Sequence, residues 1–550
     1  MYSQEKIRDA IRNSLIPFDE DPAIEEPPQG MGDFAFPCFN LSKKLGKSPV
    51  AIANEIAGKI KPSYVERTEA KGPYVNFFVD WATLFKGIHS ECKGGFSGKL
   101  GEGTALIEHT SINPNASPHV GRARNAIIGD CIARLLRYAG YKTEVHYFVN
   151  DMGKQIALLA YECGRRQGGF SFGDLLGIYI DASKELENDP ALEKEIFELL
   201  KKFESGDSET VEKFRKVVDV CVSGQSKILK KIGAGYDFFD YESAYLQSGE
   251  VKKTLSALEK TGKVFVDGEG RKVIDLQAYM KESPYLVIAR SDGTSLYPLR
   301  DIAYSIYKAG KAKDTNVLVL GEDQKLYFQQ IASAMRLLGM EPPKVVHYSF
   351  VLLPTGKMST RKGEVVLLED FLSEAAEEAR KGIDERHSEL PEEEKSKRAA
   401  SIAAAAVRYS IVKVGPEKNV MFSMKDAVRL EGDTGPYLQY TYARALSILA
   451  KEKPGPFDAS FIRDERETGL IRQLAKFPSV AKDSIRELRP HYVAVYSYDL
   501  CEKFNSFYQS VRVLQSQGPE KMARLAIVES FCLVLKDCLL ILGIDAMEEM

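Results

Sequence analysis

The stretch Thr104–Gly140, TALIEHTSINPNASPHVGRARNAIIGDCIARLLRYAG, decides the fold. It opens on a short apolar run, Ala105-Leu106-Ile107, that reads as a buried strand. A polar loop containing Asn113, Pro114, Asn115, Ser117 and Pro118 follows. From His119 onward Ala123, Ile127, Cys131 and Leu135 recur at helical spacing, with Ile128, Ile132 and Leu136 as a second stripe. Gly140 stands where helices usually stop. Two stripes predict a helix covered on more than one side, as in an α/β layer. A strand, a polar loop and a helix start also make an anion site, because the first-turn N–H groups and the helix dipole point at the loop. Every βα unit has such a loop, so the pattern alone is weak evidence for a ligand.

Working outward, 550 residues are too many for one core, and two to four domains are expected. With 44% hydrophobic and 28% charged residues, the balance is that of an ordinary globular protein. No apolar run is long enough to cross a bilayer, and the opening MYSQEKIRDAIRN carries no signal-peptide core. The eight cysteines form no CxxC pair and the seven histidines no HExxH, so neither a metal cage nor a disulfide scaffold is expected. A cytoplasmic location, no membrane and a monomer are the expectations. A net charge of −3 does not advertise nucleic acid; an RNA partner would need local basic surfaces.

Residues 1–100 read as a small separate α/β module, with a helix begun at Ser48-Pro49 and a strand in GPYVNFFVD. Residues 101–389 alternate strand and helix, which predicts a doubly wound parallel sheet. Glu144–Val149 is its second strand, followed by Asn150-Asp-Met-Gly-Lys-Gln155. Residues from about 153 to 283 are mostly charged and helical and interrupt the sheet. Tyr285–Ala289, Asn316–Leu320 and Val345–Leu353 are expected to resume it. The charge-dense Leu390–Arg398 marks a boundary, and residues 390–550 read as an all-α bundle with no convincing strand.

The loop His119-Val-Gly-Arg122 resembles the HIGH motif of class I aminoacyl-tRNA synthetases, and Glu108–Pro114 with Arg124–Asp130 is similar to arginyl-tRNA synthetases in particular. Lys357-Met-Ser-Thr-Arg-Lys-Gly363 resembles that class's second motif, KMSKS. Leu430–Ala445 is similar to the start of the family's anticodon-binding helical domain. The resemblance spans nearly the whole chain. It implies a Rossmann-like catalytic domain with an insertion, a small N-terminal domain at the tRNA elbow and a C-terminal anticodon binder. The implied reaction joins arginine to ATP as an adenylate, then passes arginine to the 2′-hydroxyl of the terminal ribose of tRNA(Arg), with Mg²⁺ accompanying ATP and tRNA needed for activation.

The family's residue roles carry over position by position. His119 would donate to phosphate oxygens and Gly121 would leave room for adenosine, with Met358 and Ser359 completing the ATP-binding set. Arg122 stands where the motif has a second histidine; it can donate to a phosphate, but its permanent charge and size differ. Lys357, Ser359, Arg361 and Lys362 would hold the departing pyrophosphate. Thr360 replaces the motif's second lysine, and Ala116, the position that matches a compensating lysine in some relatives, offers none. Glu108, Ser111 and Asn113 match residues that hold the amino acid's amino and carboxylate groups. Tyr297, Asp301 and Gln324 match the arginine pocket, where a guanidinium needs a carboxylate fork and accepts an aromatic face. The plainer reading of Asp301 is an N-cap for a helix Ile302–Lys308. Asn76 and Phe78 in the first module, and Tyr437, Tyr440, Arg444 and Tyr508 in the last, would meet unpaired tRNA bases, against the plainer reading that they pack their own domains. A small-substrate nucleotidyltransferase and a catalytically altered tRNA-binding paralogue are the alternatives.

Overall fold

A computed structural model describes the chain except residues 1, 29, 116, 167–168, 354–355 and 358–366, and the side chains of 188, 353, 356 and 357. The N-terminal module holds strands β1 (Phe34–Pro37), β2 (Val65–Lys71) and β3 (Tyr74–Val79) in the antiparallel order β1-β3-β2. Ser48 accepts the Ala51 N–H ahead of Pro49, which starts the expected helix Pro49–Lys59.

The central sheet comprises β4 (Thr104–Glu108), β5 (Lys142–Val149) and β6 (Phe238–Tyr241), then, after strands β7 to β9 of another sheet, β10 (Thr315–Gly321) and β11 (Lys344–Tyr348). Its order is β11-β10-β4-β5-β6, every pair parallel. Because the chain leaves β4 toward β5 on one side and returns as β10 on the other, the C-terminal ends of β4 and β10 part to form the crevice where such sheets bind ligands. The predicted helix follows β4 as Val120–Ala139, buried on nearly every face. It lies between the sheet and the helices Leu368–Arg386, Glu392–Val412, Glu465–Glu487 and Gly518–Leu542.

Three segments depart from the sequence-based expectation. The run Tyr285–Ala289 is β9, which pairs antiparallel with β8 (Lys272–Asp275) in a small separate sheet with β7 (Val264–Val266). An apolar run specifies burial, not partner, and the nearest hairpin neighbour captured it. Conversely β6, from the middle of the 153–283 segment, supplies an edge of the main sheet. Finally β12 (Val351–Leu353) leaves β11 to pair antiparallel with β13 (Gly356–Lys357) and parallel with β14 (Val420–Met421), a two-residue strand beyond residue 390.

One continuous apolar core joins the N-terminal module, the Val120–Ala139 helix, the insertion helices and the C-terminal bundle. Its polar pin is Arg408, fully buried, which donates to Asp130 Oδ2 (2.6 Å) and to the Leu542 carbonyl (2.7 Å). The pair is hydrogen-bonded on both sides, the condition under which a buried charge is tolerated. Phe96 meets Phe477 edge-on at 5.4 Å, and Asp33 accepts from Trp81 Nε1 (3.0 Å) and Arg472 Nη1 (2.8 Å). The first module is thereby fastened to the last.

Candidate active site

At the mouth of the crevice His119 caps the Val120–Ala139 helix. Burial, with the positive Arg122 beside it, pushes the imidazole pKa down to about 4, so the ring is neutral at pH 7. Its Nδ1 is buried and has no partner among the described residues. A buried ring nitrogen without a partner is rare, and a phosphate oxygen or a substrate hydroxyl would supply what is missing. Arg122 is exposed in the first turn, beside half-buried Gly121. The close approach in this helix is at Gly129, where a Cβ would sit 2.3 Å from the ring of fully buried His109.

The cation-bearing segment is tied to this helix on both flanks. Before it, fully buried Arg124 donates to the carbonyls of Ser349 (2.8 Å) and Phe350 (3.0 Å), and to those of Gly415, Pro416 and Lys418. After it, Leu367 bridges to His119, Leu368 N–H donates to the Pro118 carbonyl (2.9 Å), and Ser117 Oγ donates to Glu369 (2.9 Å). The described flanks of the second motif, Ser349–Phe350 before it and Leu367–Glu369 after it, therefore both lie against the helix of the first motif. Met358, Ser359, Thr360, Arg361 and Lys362, the side chain of Lys357, and Ala116 lie outside the described residues.

The other end of the crevice is built on the helix Tyr297–Lys311. Asp301 lies in its second turn, because the helix starts at Tyr297 and not after Asp301; the capping role is excluded. Tyr327 donates its hydroxyl to Asp301 Oδ2, and Tyr297, 57% exposed, stands 5.3 Å from the Tyr327 ring. Burial, then the nearby charge of Glu242, pushes the Asp301 carboxyl up to about 7, against the bond from Tyr327. Buried Glu242 accepts from Arg300 Nε. A guanidinium entering here meets the Asp301 carboxyl and the Tyr297 and Tyr327 rings, with the neighbouring Glu242 already paired to Arg300. Gln324 is exposed in the turn after β10.

Between the two ends, Glu108 closes β4 and is ion-paired with Lys308, which is 1% exposed. Ser111 Oγ lies 3.5 Å from Glu108 Oε1, and Asn113 is exposed with its amide donating to Gln155 (3.3 Å). Lys308, Arg124, Tyr327 and Glu242 were not singled out from sequence. Lys308 had a signal: seven residues after Asp301, it falls on the same helical face, where a charge must find a partner.

The expected base-contacting residues divide by burial. Asn76 is 3% exposed and Tyr437 is buried, with its hydroxyl on Glu502 (2.7 Å) and Asn505 (2.7 Å), so both pack their own domains. Phe78 is half-buried and carries the Arg67 guanidinium 3.9 Å from its ring centre. Tyr508 is exposed, and the Arg444 guanidinium lies 4.6 Å from the Tyr440 ring and 5.1 Å from the Tyr508 ring.

Comparison with known proteins matches this arrangement along the whole chain. Residues 96–424 match the model of tRNA synthetases class I (R), catalytic domain, residues 438–550 the DALR anticodon binding domain, and residues 2–79 the arginyl tRNA synthetase N terminal domain. The arginine–tRNA ligase of Methanocella arvoryzae is 41% identical, covering 93% of this chain and 92% of the relative. That of Methanococcoides burtonii is 38% identical, covering 93% of each. The Thermus thermophilus arginyl-tRNA synthetase structure superposes with a TM-score of 0.84 at 29% identity over 100% of both chains. The Plasmodium falciparum arginyl-tRNA synthetase, at 19% identity and a TM-score of 0.80 over 99% of this chain and 98% of that one, shares the fold. With catalytic, anticodon-binding and N-terminal models matched in order and relatives near 40% identity over nine-tenths of its length, the chain belongs to the arginyl-tRNA synthetase family of class I.

Proposed function

We propose that the chain activates arginine with ATP and transfers it to the 3′-terminal ribose of tRNA(Arg) by dividing the work between the two ends of the crevice. Asp301 pairs with the guanidinium and Tyr297 lies against its plane, with Tyr327 fixing the carboxylate and Gln324 at the rim. Glu108, oriented by Lys308, and Ser111 and Asn113 hold the amino acid's own amino and carboxylate groups. That places the arginine carboxylate toward the helix start, in line with the α-phosphate. His119 donates a hydrogen bond as charge builds on the phosphate, and Arg122, Lys357, Ser359, Arg361 and Lys362 follow the pyrophosphate as it leaves. Mg²⁺ enters as part of the ATP complex. Because the pocket is built to satisfy a fixed fork of donors, it rejects a neutral isostere strongly.

The observation that carries this reading is the double fastening of the cation-bearing segment to the His119 helix, through Arg124 before it and Pro118–His119 after it. The flanks of the second motif, more than two hundred residues from the first, both meet the His119 helix, which supports a phosphate site shared by the two motifs. At the far end, the Tyr440–Arg444–Tyr508 cluster offers ring faces and a cation to unpaired anticodon bases. The eight cysteines are buried and none is joined in a disulfide among the described residues, which favours a reducing compartment, and we read the protein as a cytoplasmic monomer. The test is pyrophosphate release from ATP with arginine, with and without tRNA, against citrulline as the neutral isostere. Arginine-specific release followed by charged tRNA is expected. Equal release with citrulline would overturn the pocket assignment.

A further inference from the structure

The loop that carries Ser111 and Asn113 has a strained backbone. Thr110 has φ +84° and Ser111 φ +43°, two successive side-chain-bearing residues in the left-handed region. A β-branched residue there is a genuine outlier and persists only where its surroundings hold it. The holds come from outside the loop. Thr110 N–H donates to Asn125 (2.7 Å), and the hydroxyls of Thr110 and Tyr236 lie 2.7 Å apart. Ile112 N–H donates to the Tyr147 hydroxyl (3.2 Å), and Gln225 Nε2 donates to the Asn113 carbonyl (3.0 Å). Tyr147 and Gln225 are both fully buried.

The Tyr147 hydroxyl has one proton and two acceptors near it, Gln225 Oε1 at 2.9 Å and the Ile112 carbonyl at 3.1 Å. With the proton on the shorter contact, the groups form a directed chain: Ile112 N–H to Tyr147, Tyr147 to Gln225, Gln225 to the Asn113 carbonyl. A buried polar network connected in this way rigidifies the backbone it touches. Gln225 comes from the insertion helix Ser208–Lys231, more than a hundred residues downstream, and reaches Asn113 through its backbone carbonyl.

We infer that Gln225 is a positioning residue for arginine activation: from the insertion, it fixes the backbone at Ile112–Asn113 so that Ser111 and Asn113 face the amino acid. This rests on the reading that those two residues hold arginine. The insertion is then part of the substrate site's frame and not only a support for RNA. A merely structural glutamine would affect stability without favouring one substrate over the other. A positioning one acts on arginine and spares ATP, because the helix start at His119 is held separately by the Val120–Ala139 helix.

The test uses the full-length chain with tRNA, measuring pyrophosphate release with arginine and ATP titrated separately. Gln225→Met keeps the length of the side chain and removes both hydrogen bonds. The arginine KM is expected to rise about tenfold, the scale of one lost hydrogen bond, with the ATP KM within about twofold of wild type. Tyr147→Phe cuts the same chain one link earlier and should act in the same direction. The double variant should be no worse than the stronger single one, since both break one network. A wild-type arginine KM in folded Gln225→Met overturns the inference, as does an equal rise for ATP. If Gln225→Met does not fold, a wild-type arginine KM in Tyr147→Phe overturns it. A wild-type chain that releases no pyrophosphate with arginine would instead overturn the ligase reading.

Discussion

The two ends of the crevice are prepared in opposite ways. At the proposed phosphate end the donors are unspent: His119 Nδ1 has no partner among the described residues and Arg122 is exposed. At the arginine end the carboxylates are already engaged, Glu108 by Lys308, Glu242 by Arg300 and Asp301 by Tyr327. The difference suits what each end is proposed to receive. A triphosphate brings charge that grows as the reaction proceeds, and donors held in reserve stabilise the transition state more than the ground state. A guanidinium keeps the same charge throughout, so its site can be rigid and selected for fit.

The largest test of that contrast is His119→Ala. It removes a donor that acts as charge develops, so kcat for pyrophosphate release should fall about a hundredfold or more with little change in ATP KM. A parallel rise in ATP KM with unchanged kcat would mean the ring binds the ground state, and the contrast would fail. Asp301→Asn probes the opposite end. There the arginine KM should rise on the order of a hundredfold while kcat for saturating arginine and the ATP KM change little. The same variant should make the free protein more stable at pH 8. The folded pKa of about 7 lies above the ordinary carboxylate value, so the fold binds the Asp301 proton more tightly than the unfolded chain does. Stability from this group is full at low pH and is lost as pH rises toward 7. A melting temperature below wild type at pH 8 would refute that sign.

A pH profile sharpens the comparison further. Only the ionised Asp301 pairs with a guanidinium, so arginine kcat/KM should fall below pH 7 by up to about tenfold per unit. His119, with its pKa near 4, should leave ATP kcat/KM level over the same window. If ATP and arginine profiles bend together near pH 7, the titrating group is shared and is not Asp301.

How legible this was in sequence depends on what kind of signal each part leaves. The β4–loop–helix unit was readable because apolar periodicity and a quoted motif coincide in one stretch. Tyr297 and Asp301 are proposed for the pocket on the motif resemblance, but Asp301's place in the second turn, and so the exclusion of capping, needed the helix start at Tyr297. Lys308 and Gln225 were not found. Each is a polar residue inside a helix, and its partner lies in another segment, Glu108 two hundred residues earlier and Asn113 more than a hundred. Strand assignment failed at β9 for the same reason, since pairing is a long-range property that a local apolar run does not encode. Asn76 and Tyr437 carry side chains of a type suited to a base, yet both are buried within their own domains, which residue type alone does not show.

The smallest expected effect lies farthest from the crevice. Arg444 is stacked between Tyr440 and Tyr508 and donates to Asn505 Oδ1 (2.8 Å), while Tyr508 keeps 42% of its surface exposed. This face resembles the phosphate end in holding an open group, yet what it offers is a ring face and not a reserve of charge. Base stacking on one aromatic contributes about 1–3 kcal/mol. Tyr508→Ala should therefore raise the KM for tRNA about tenfold while leaving the melting temperature near wild type. Tyr437→Phe, which removes a buried hydroxyl that bonds to Glu502 and Asn505, should lower the melting temperature and change the tRNA KM less. The inverse result, tRNA affinity lost in Tyr437→Phe and kept in Tyr508→Ala, would place the RNA on the other side of this helix pair.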